Sequence, residues 1–162
     1  MIEGRLRLGE EARSRGAGAD DRGTSRLLGA AFGLSILGVL ISPLLNALDV
    51  GRLPEAAGWS GLALMLGAIG VRVWAARSLG ASYTRTLRTT SGQRLVDSGP
   101  YRFVRHPGYV AGIVMWLGAG LATTNLFVLI AILVVIVTAY RARIGAEEAM
   151  LLEAFGDEYR AY

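Results

Sequence analysis

Apolar and polar residues fall in long blocks along this chain and not in the two-residue alternation of strands. The first apolar run, residues 27–48, would span about 33 Å as a helix and cross a bilayer. Pro43 lies in its last third and is expected to bend or end it. A short polar connection, 49–55, leads to a second run at 56–76. Arg72 is one turn from the end of that run, where its long side chain is expected to reach the headgroups. The polar stretch 77–107 follows, with six arginines and a single acid, Asp97. Within it, 84–96 has the β-branched content and the central Ser91-Gly92 turn of a loose hairpin on the membrane surface. Runs three and four, 108–123 and 126–140, are each short for a crossing, at roughly 23 Å of helix. Only Thr124-Asn125 separates them, which predicts a tight helical hairpin. A last segment, 141–162, holds five acids and three arginines. Tyr140, Ile144, Leu151, Leu152 and Phe155 give it one apolar side, so it is expected to pack back on the helices. The pattern thus predicts an all-α integral membrane protein. It would have about four transmembrane helices, the last two a short hairpin, and a C-terminal cytoplasmic amphipathic helix. Three parts are expected: a polar segment at 1–26, two spans within 27–76, and a core at 77–162.

Composition narrows the reading. Hydrophobic residues make up 52% of the 162 and charged residues only 19%, which excludes disorder beyond the first two dozen positions. With no cysteine and one histidine, neither a disulfide scaffold nor a metal site is expected. The net charge of +4 comes from arginines that mostly flank the apolar runs. That is the signature of membrane topology, with contacts to membrane lipids, and not of a nucleic-acid face. Residues 1–26 lack a short apolar core followed by a small-residue cleavage site, so no cleaved signal peptide is expected. The segments at 1–26, 77–107 and 141–162 hold nearly every arginine, against Arg52 alone on the other side. The positive-inside rule places both ends and the long loop in the cytoplasm, in a cell (inner) membrane protein.

Chemistry could sit in two clusters, both on that cytoplasmic side. In the first, from Gly99 to Gly112, Pro107 suits the opening position of the third helix. His106 and Arg105 would then lie beside the free N–H groups of a positive helix end. Gly108 and Gly112 form a small-xxx-small face, as Gly29 and Gly33 do in the first span, where they read as helix packing and permit a homodimer. The bland alternative for this cluster is interface anchoring by Arg and His plus glycine packing. The second cluster is Arg141, Arg143, Glu147 and Glu148, with Arg143 and Glu147 on one helix face. It could equally be a solvated, salt-bridged helix end. Together the clusters offer an acid for an ammonium, arginines for a carboxylate, and Tyr and His for a ring.

Ser98-Gly99-Pro100-Tyr101, Val104-Arg105-His106-Pro107-Gly108-Tyr109, Arg141-x-Arg143, Glu147-Glu148 and the closing Phe155-to-Tyr162 stretch occur in a recognisable order. They resemble the isoprenylcysteine carboxyl methyltransferase family and its phospholipid methyltransferase relatives, over roughly 77–162. The resemblance implies an integral membrane methyltransferase using S-adenosylmethionine on a carboxylate, amine or thiol of a lipophilic acceptor from the bilayer. It implies a cofactor pocket lined by Tyr101, Arg105, His106, Pro107, Tyr109, Gly112, Glu147 and Glu148. Arg143 and Glu148 take the family's catalytic positions, Glu148 on the methionyl ammonium and Arg143 orienting the acceptor or the cofactor carboxylate. The family's usual glycine two residues after the motif tyrosine is Ala111 here, followed by Gly112, and family members commonly continue past the position of Tyr162. Those departures leave a non-catalytic protein on the same scaffold as one alternative. An NADPH-dependent membrane reductase is another, disfavoured by Gly108 where such reductases carry asparagine and by the absence of cysteine.

Overall fold

A computed structural model describes residues 23–79 and 97–162. Among these residues the chain is helical: α1 (Thr24–Ala47), α2 (Glu55–Leu79), a 3-10 turn (Gly99–Arg102), α3 (Pro107–Ala122), α4 (Leu126–Phe155) and the short α5 (Asp157–Ala161). The hairpin expected at 84–96 lies outside the described residues, as does nearly all of the polar segment 1–26. Helices α1, α2 and α4 are long and apolar enough to cross a membrane, whereas α3 has 16 residues. The expected hairpin between runs three and four is present as α3 and α4, joined through Thr123–Asn125.

Three expectations about these elements need correction. The C-terminal segment is not a separate amphipathic helix. Residues 141–155 continue α4 without interruption, giving 30 residues, about 45 Å, so the fourth run is not short. The helix stops at Gly156, whose φ of 53° lies in the left-handed region that glycine enters at little cost. Pro43 does not end α1, which continues to Ala47. The Val39 carbonyl, which a residue with an N–H at position 43 would have bonded, instead accepts a 2.7 Å hydrogen bond from Ser42 Oγ. Gly29 and Gly33 are exposed, and a side chain added at either would meet nothing within 4 Å, so they pack no helix in this structure.

Small residues make the seams and large ones face outward. In α1 the buried residues are Thr24, Ala31, Ser35 and Ser42; in α2 they are Gly61, Ala68 and Ala75, seven apart. Leu34, Leu40, Leu44, Trp59 and Leu66 are exposed. Lipid is as apolar as leucine, so close backbone approach, not apolar burial, holds such helices together. The seams pair α2 with α3, α3 with α4, and α4 with α1. At Gly61 an added Cβ would lie 2.6 Å from the Ala122 nitrogen, and at Gly118 one would lie 2.6 Å from the Gly61 oxygen.

At the end of the bundle away from α5, a polar knot ties the α1–α2 turn to the α3–α4 turn. Asn125 is fully buried, and its Nδ2 donates to Asn46 Oδ1 and to the Val50 carbonyl, both at 2.8 Å. Its Oδ1 caps α4 by accepting from the Phe127 and Val128 N–H groups. Asn46 Nδ2 donates to the Thr123 carbonyl at 2.8 Å, and Leu53 N–H to the Thr124 carbonyl at 2.7 Å. All four helix ends are thereby fixed in register, which sets the geometry of the opposite end.

Candidate functional site

The start of α1, the start of α3 and the second half of α4 meet at that opposite end. Pro107 is buried at the first position of α3, where its lack of an N–H removes nothing. Its fixed φ holds His106 as the residue capping the helix. From there His106 Nε2 reaches Glu148 Oε1 at 3.3 Å. One turn into α3, the Tyr109 hydroxyl donates to Glu147 Oε2 in a short hydrogen bond and accepts from Arg143 Nε at 3.4 Å. Arg143 and Glu147, four apart on α4, thus share one phenol. The His106 and Tyr109 rings stack with centroids 5.7 Å apart, and the Tyr109 and Tyr140 rings lie at 5.5 Å.

Arg143 is 5% exposed, an unusual state for a guanidinium, and α1 supplies the groups that make burial tolerable. Its Nη1 donates to Thr24 Oγ1 at 2.9 Å and to Ser25 Oγ at 3.1 Å. Above the carboxylates the chain turns at Gly156, and α5 lays Tyr159 across the opening. Tyr159 is 2% exposed, yet its hydroxyl has no hydrogen-bond partner among the described residues. Burial, reinforced by the nearby Glu148 charge and opposed by Arg105, pushes that phenol up to about 12. It therefore stays neutral at physiological pH. The Arg105 guanidinium lies over the Tyr159 ring at 5.5 Å from its centroid, and the Tyr162 hydroxyl donates to the Tyr101 carbonyl, closing the tail onto the 3-10 turn.

Of the residues expected at a site, His106, Pro107, Tyr109, Arg143, Glu147 and Glu148 form one cluster. Arg105 and Tyr101 adjoin it through Tyr159 and Tyr162. Gly112 has a different surrounding: an added Cβ would lie 2.7 Å from Tyr140 Cζ, so this glycine is the notch that admits the Tyr140 phenol. Ala111 is buried at 3% exposure. The open position is Gly108, half-buried beside His106 and Tyr109, where an added side chain would meet nothing within 4 Å. Sequence reasoning missed Thr24, Ser25 and Tyr140. Tyr159 stood inside the closing motif without a role being drawn from it.

Comparison with known proteins fits this arrangement. A family profile described as phospholipid methyltransferase matches residues 56–158, more than half of the chain. A probable protein-S-isoprenylcysteine O-methyltransferase of Oryza sativa subsp. indica is 31% identical over 144 residues, covering 86% of this chain and 75% of that protein. The chain belongs to the phospholipid methyltransferase family. It is a membrane methyltransferase of the isoprenylcysteine and phospholipid type, acting on lipophilic substrates. Another relative, the protein-S-isoprenylcysteine O-methyltransferase of Schizosaccharomyces pombe, is 37% identical over 68 residues, 42% of this chain and 29% of that one. A solved structure of the eukaryotic intramembrane Ras methyltransferase ICMT superposes with a TM-score of 0.70 at 24% identity, which shows a shared fold. The alignment covers 83% of this chain, which spans about half (48%) of that longer one. The profile begins at residue 56, so this phospholipid methyltransferase family member draws Thr24 and Ser25 of its site from outside the matched segment.

Proposed function

We propose that this methyltransferase takes its methyl group from S-adenosylmethionine and passes it to a carboxylate, amine or thiol at the head of a lipophilic acceptor drawn from the bilayer. The observation that carries this reading is the unpaired, buried Tyr159 hydroxyl, set beside two carboxylates and the open space at Gly108. A buried hydroxyl without a partner is costly, and a polar ligand in that space would satisfy it.

The residues present fit the donor group by group. Glu148 would hold the methionyl ammonium, Arg105 its carboxylate, and the His106 and Tyr109 rings the flat base. S-adenosylmethionine supplies a methyl on a cationic sulfur that departs as a neutral thioether when a nucleophile attacks in line. The leaving group is thereby already activated, and the protein's task is to position and to exclude water. Glu147 fixes Tyr109, and Thr24 with Ser25 fixes Arg143, so both side chains keep one orientation. Arg143 can then present a fork of donors to the acceptor. Tyr159 and Tyr162 cover the opening from the water side. By arginine distribution this end faces the cytoplasm of a cell membrane, where a soluble donor and a bilayer-borne acceptor meet.

Incubation of the purified protein with methyl-labelled S-adenosylmethionine and either a farnesylated cysteine or phosphatidylethanolamine tests the proposal. Label is expected in the organic phase and lost in Glu148→Ala. Label retained at the wild-type level in that variant would contradict the assignment of Glu148.

A further inference from the structure

Arg72 lies about 10 Å inside the end of α2 at Leu79, within a helix long and apolar enough to cross the membrane. The sequence pattern suggested that it turns away toward the headgroups. Its helical position says otherwise. Gly61, Ala68 and Ala75 are the buried stripe of α2, and Arg72, four after Ala68 and three before Ala75, belongs to that stripe. The stripe faces α3. Gly58 meets Thr124, and Gly61 and Met65 meet Gly118, an antiparallel register that carries Arg72 to the level of Gly108 to Gly112.

Seam positions of this bundle otherwise hold Gly or Ala on α2, yet Arg72 is exposed while Ala68 and Ala75 are not. The reason is what stands opposite: Gly108 is open, and Gly112 is the notch through which Tyr140 of α4 reaches across α3. The Arg72 guanidinium comes within hydrogen-bonding reach of the Tyr140 phenol, whose ring contacts Tyr109. Arg72 therefore lines a cleft between α2 and α3 that borders the proposed site on its membrane side. Among the described residues no carboxylate lies within ion-pair distance of it. An arginine at membrane depth that faces a cleft and lacks a protein anion marks a path for a charged group.

We propose that Arg72 receives the negative charge of the methyl acceptor. It binds a carboxylate or phosphate oxygen on the head of a long-chain amphiphile entering between α2 and α3 from the bilayer, and so sets acceptor specificity. This rests on the methyltransferase reading only for the word acceptor; the anion site stands on the cleft itself.

The test is equilibrium binding to the full chain in lipid nanodiscs, without S-adenosylmethionine, using two matched pairs. N-acetyl-S-farnesylcysteine is compared with its neutral carboxamide, and dioleoylphosphatidate with dioleoylglycerol. Wild type should prefer the anion of at least one pair by tenfold or more; the pair that responds identifies carboxylate or phosphate as the head. Arg72→Gln should bring the two members of that pair within twofold of each other, while Arg72→Lys keeps most of the preference. The affinity for S-adenosylmethionine, measured separately, should change less than twofold in both. No preference in wild type, or an unchanged preference in Arg72→Gln, overturns the proposal. Should Arg72→Gln not fold, Tyr140→Phe decides: the charge preference is expected to survive it, and its loss would assign the preference to the shape of the wall instead. Failure of wild type to bind S-adenosylmethionine would contradict the methyltransferase reading and leave the anion preference to be judged on its own arms.

Discussion

Tyr159→Phe separates a ligand-binding role from a structural one, because the two predict effects of opposite sign. The substitution removes one oxygen from a residue that is 2% exposed and keeps the ring under Arg105. That oxygen has no partner among the described residues, so in the ligand-free protein its removal loses no hydrogen bond. A buried unsatisfied polar group costs about 1–3 kcal/mol, so the variant should be as stable as wild type or more stable by about 1 kcal/mol. The same oxygen is proposed to meet the bound donor, and losing one neutral hydrogen bond there should weaken S-adenosylmethionine by about 1 kcal/mol, roughly fivefold. Alkaline pH gives a second handle. The folded phenol titrates at about 12 against 10.0 for a free tyrosine, so the stability from keeping it neutral is fully present below 10 and lost as pH rises through 12. Thermal unfolding between pH 10 and 12 should therefore fall less steeply in Tyr159→Phe. Scanning fluorimetry and calorimetric titration in one detergent give both readouts. A destabilised variant with unchanged donor affinity would refute the reasoning, since the hydroxyl would then be an ordinary structural group.

Other expectations follow from close approaches and from the polar contacts at each end. Gly61→Leu would force a side chain against the α3 backbone, which has no flexible end to swing aside, and should cost about 3 kcal/mol or more, read as a lower melting temperature or lost expression. Gly108→Ala should leave stability within about 0.5 kcal/mol, since nothing stands within 4 Å, but should weaken S-adenosylmethionine measurably. Asn125→Ala removes the α4 cap and the link to Asn46 and Val50 together, and should lower stability by about 2–4 kcal/mol in unfolding experiments. Thr24→Val with Ser25→Ala should reduce kcat about tenfold with unchanged donor affinity, and Thr24→Ser alone should retain wild-type kcat. Equal losses in both variants would make the α1 contact one of packing.

Much of this architecture is legible in the sequence, for reasons that also explain the misses. Twenty-residue apolar blocks force helices wherever the backbone must satisfy itself in lipid, and arginine marks the water side. Hydropathy fails at Arg141 because it measures the membrane and not the helix. Ala142, Ala146, Glu147, Glu148 and Leu151 are good helix formers, so α4 runs on until Gly156 permits a turn. Pro43 survives inside α1 because Ser42 serves the carbonyl it strands. The motif order from Arg105 to Glu148 pointed to residues that the fold gathers, since α3 and α4 are antiparallel neighbours with a fixed turn. Thr24 and Ser25 gave no signal. Nothing local distinguishes two hydroxyls at the head of a hydrophobic run from solvent-facing ones, and their meaning comes from Arg143, 119 and 118 residues away. Gly29 and Gly33 carried a packing signal that tertiary structure ignores, because Ala31 and Ser35 hold the seam instead.

The most direct measurement is calorimetric titration of S-adenosylmethionine into the purified protein, beside Glu148→Ala and an NADPH control. Saturable binding that the substitution abolishes, with no heat from NADPH, is the predicted result. No binding by well-folded wild type, or equal binding by Glu148→Ala, would contradict the site described above.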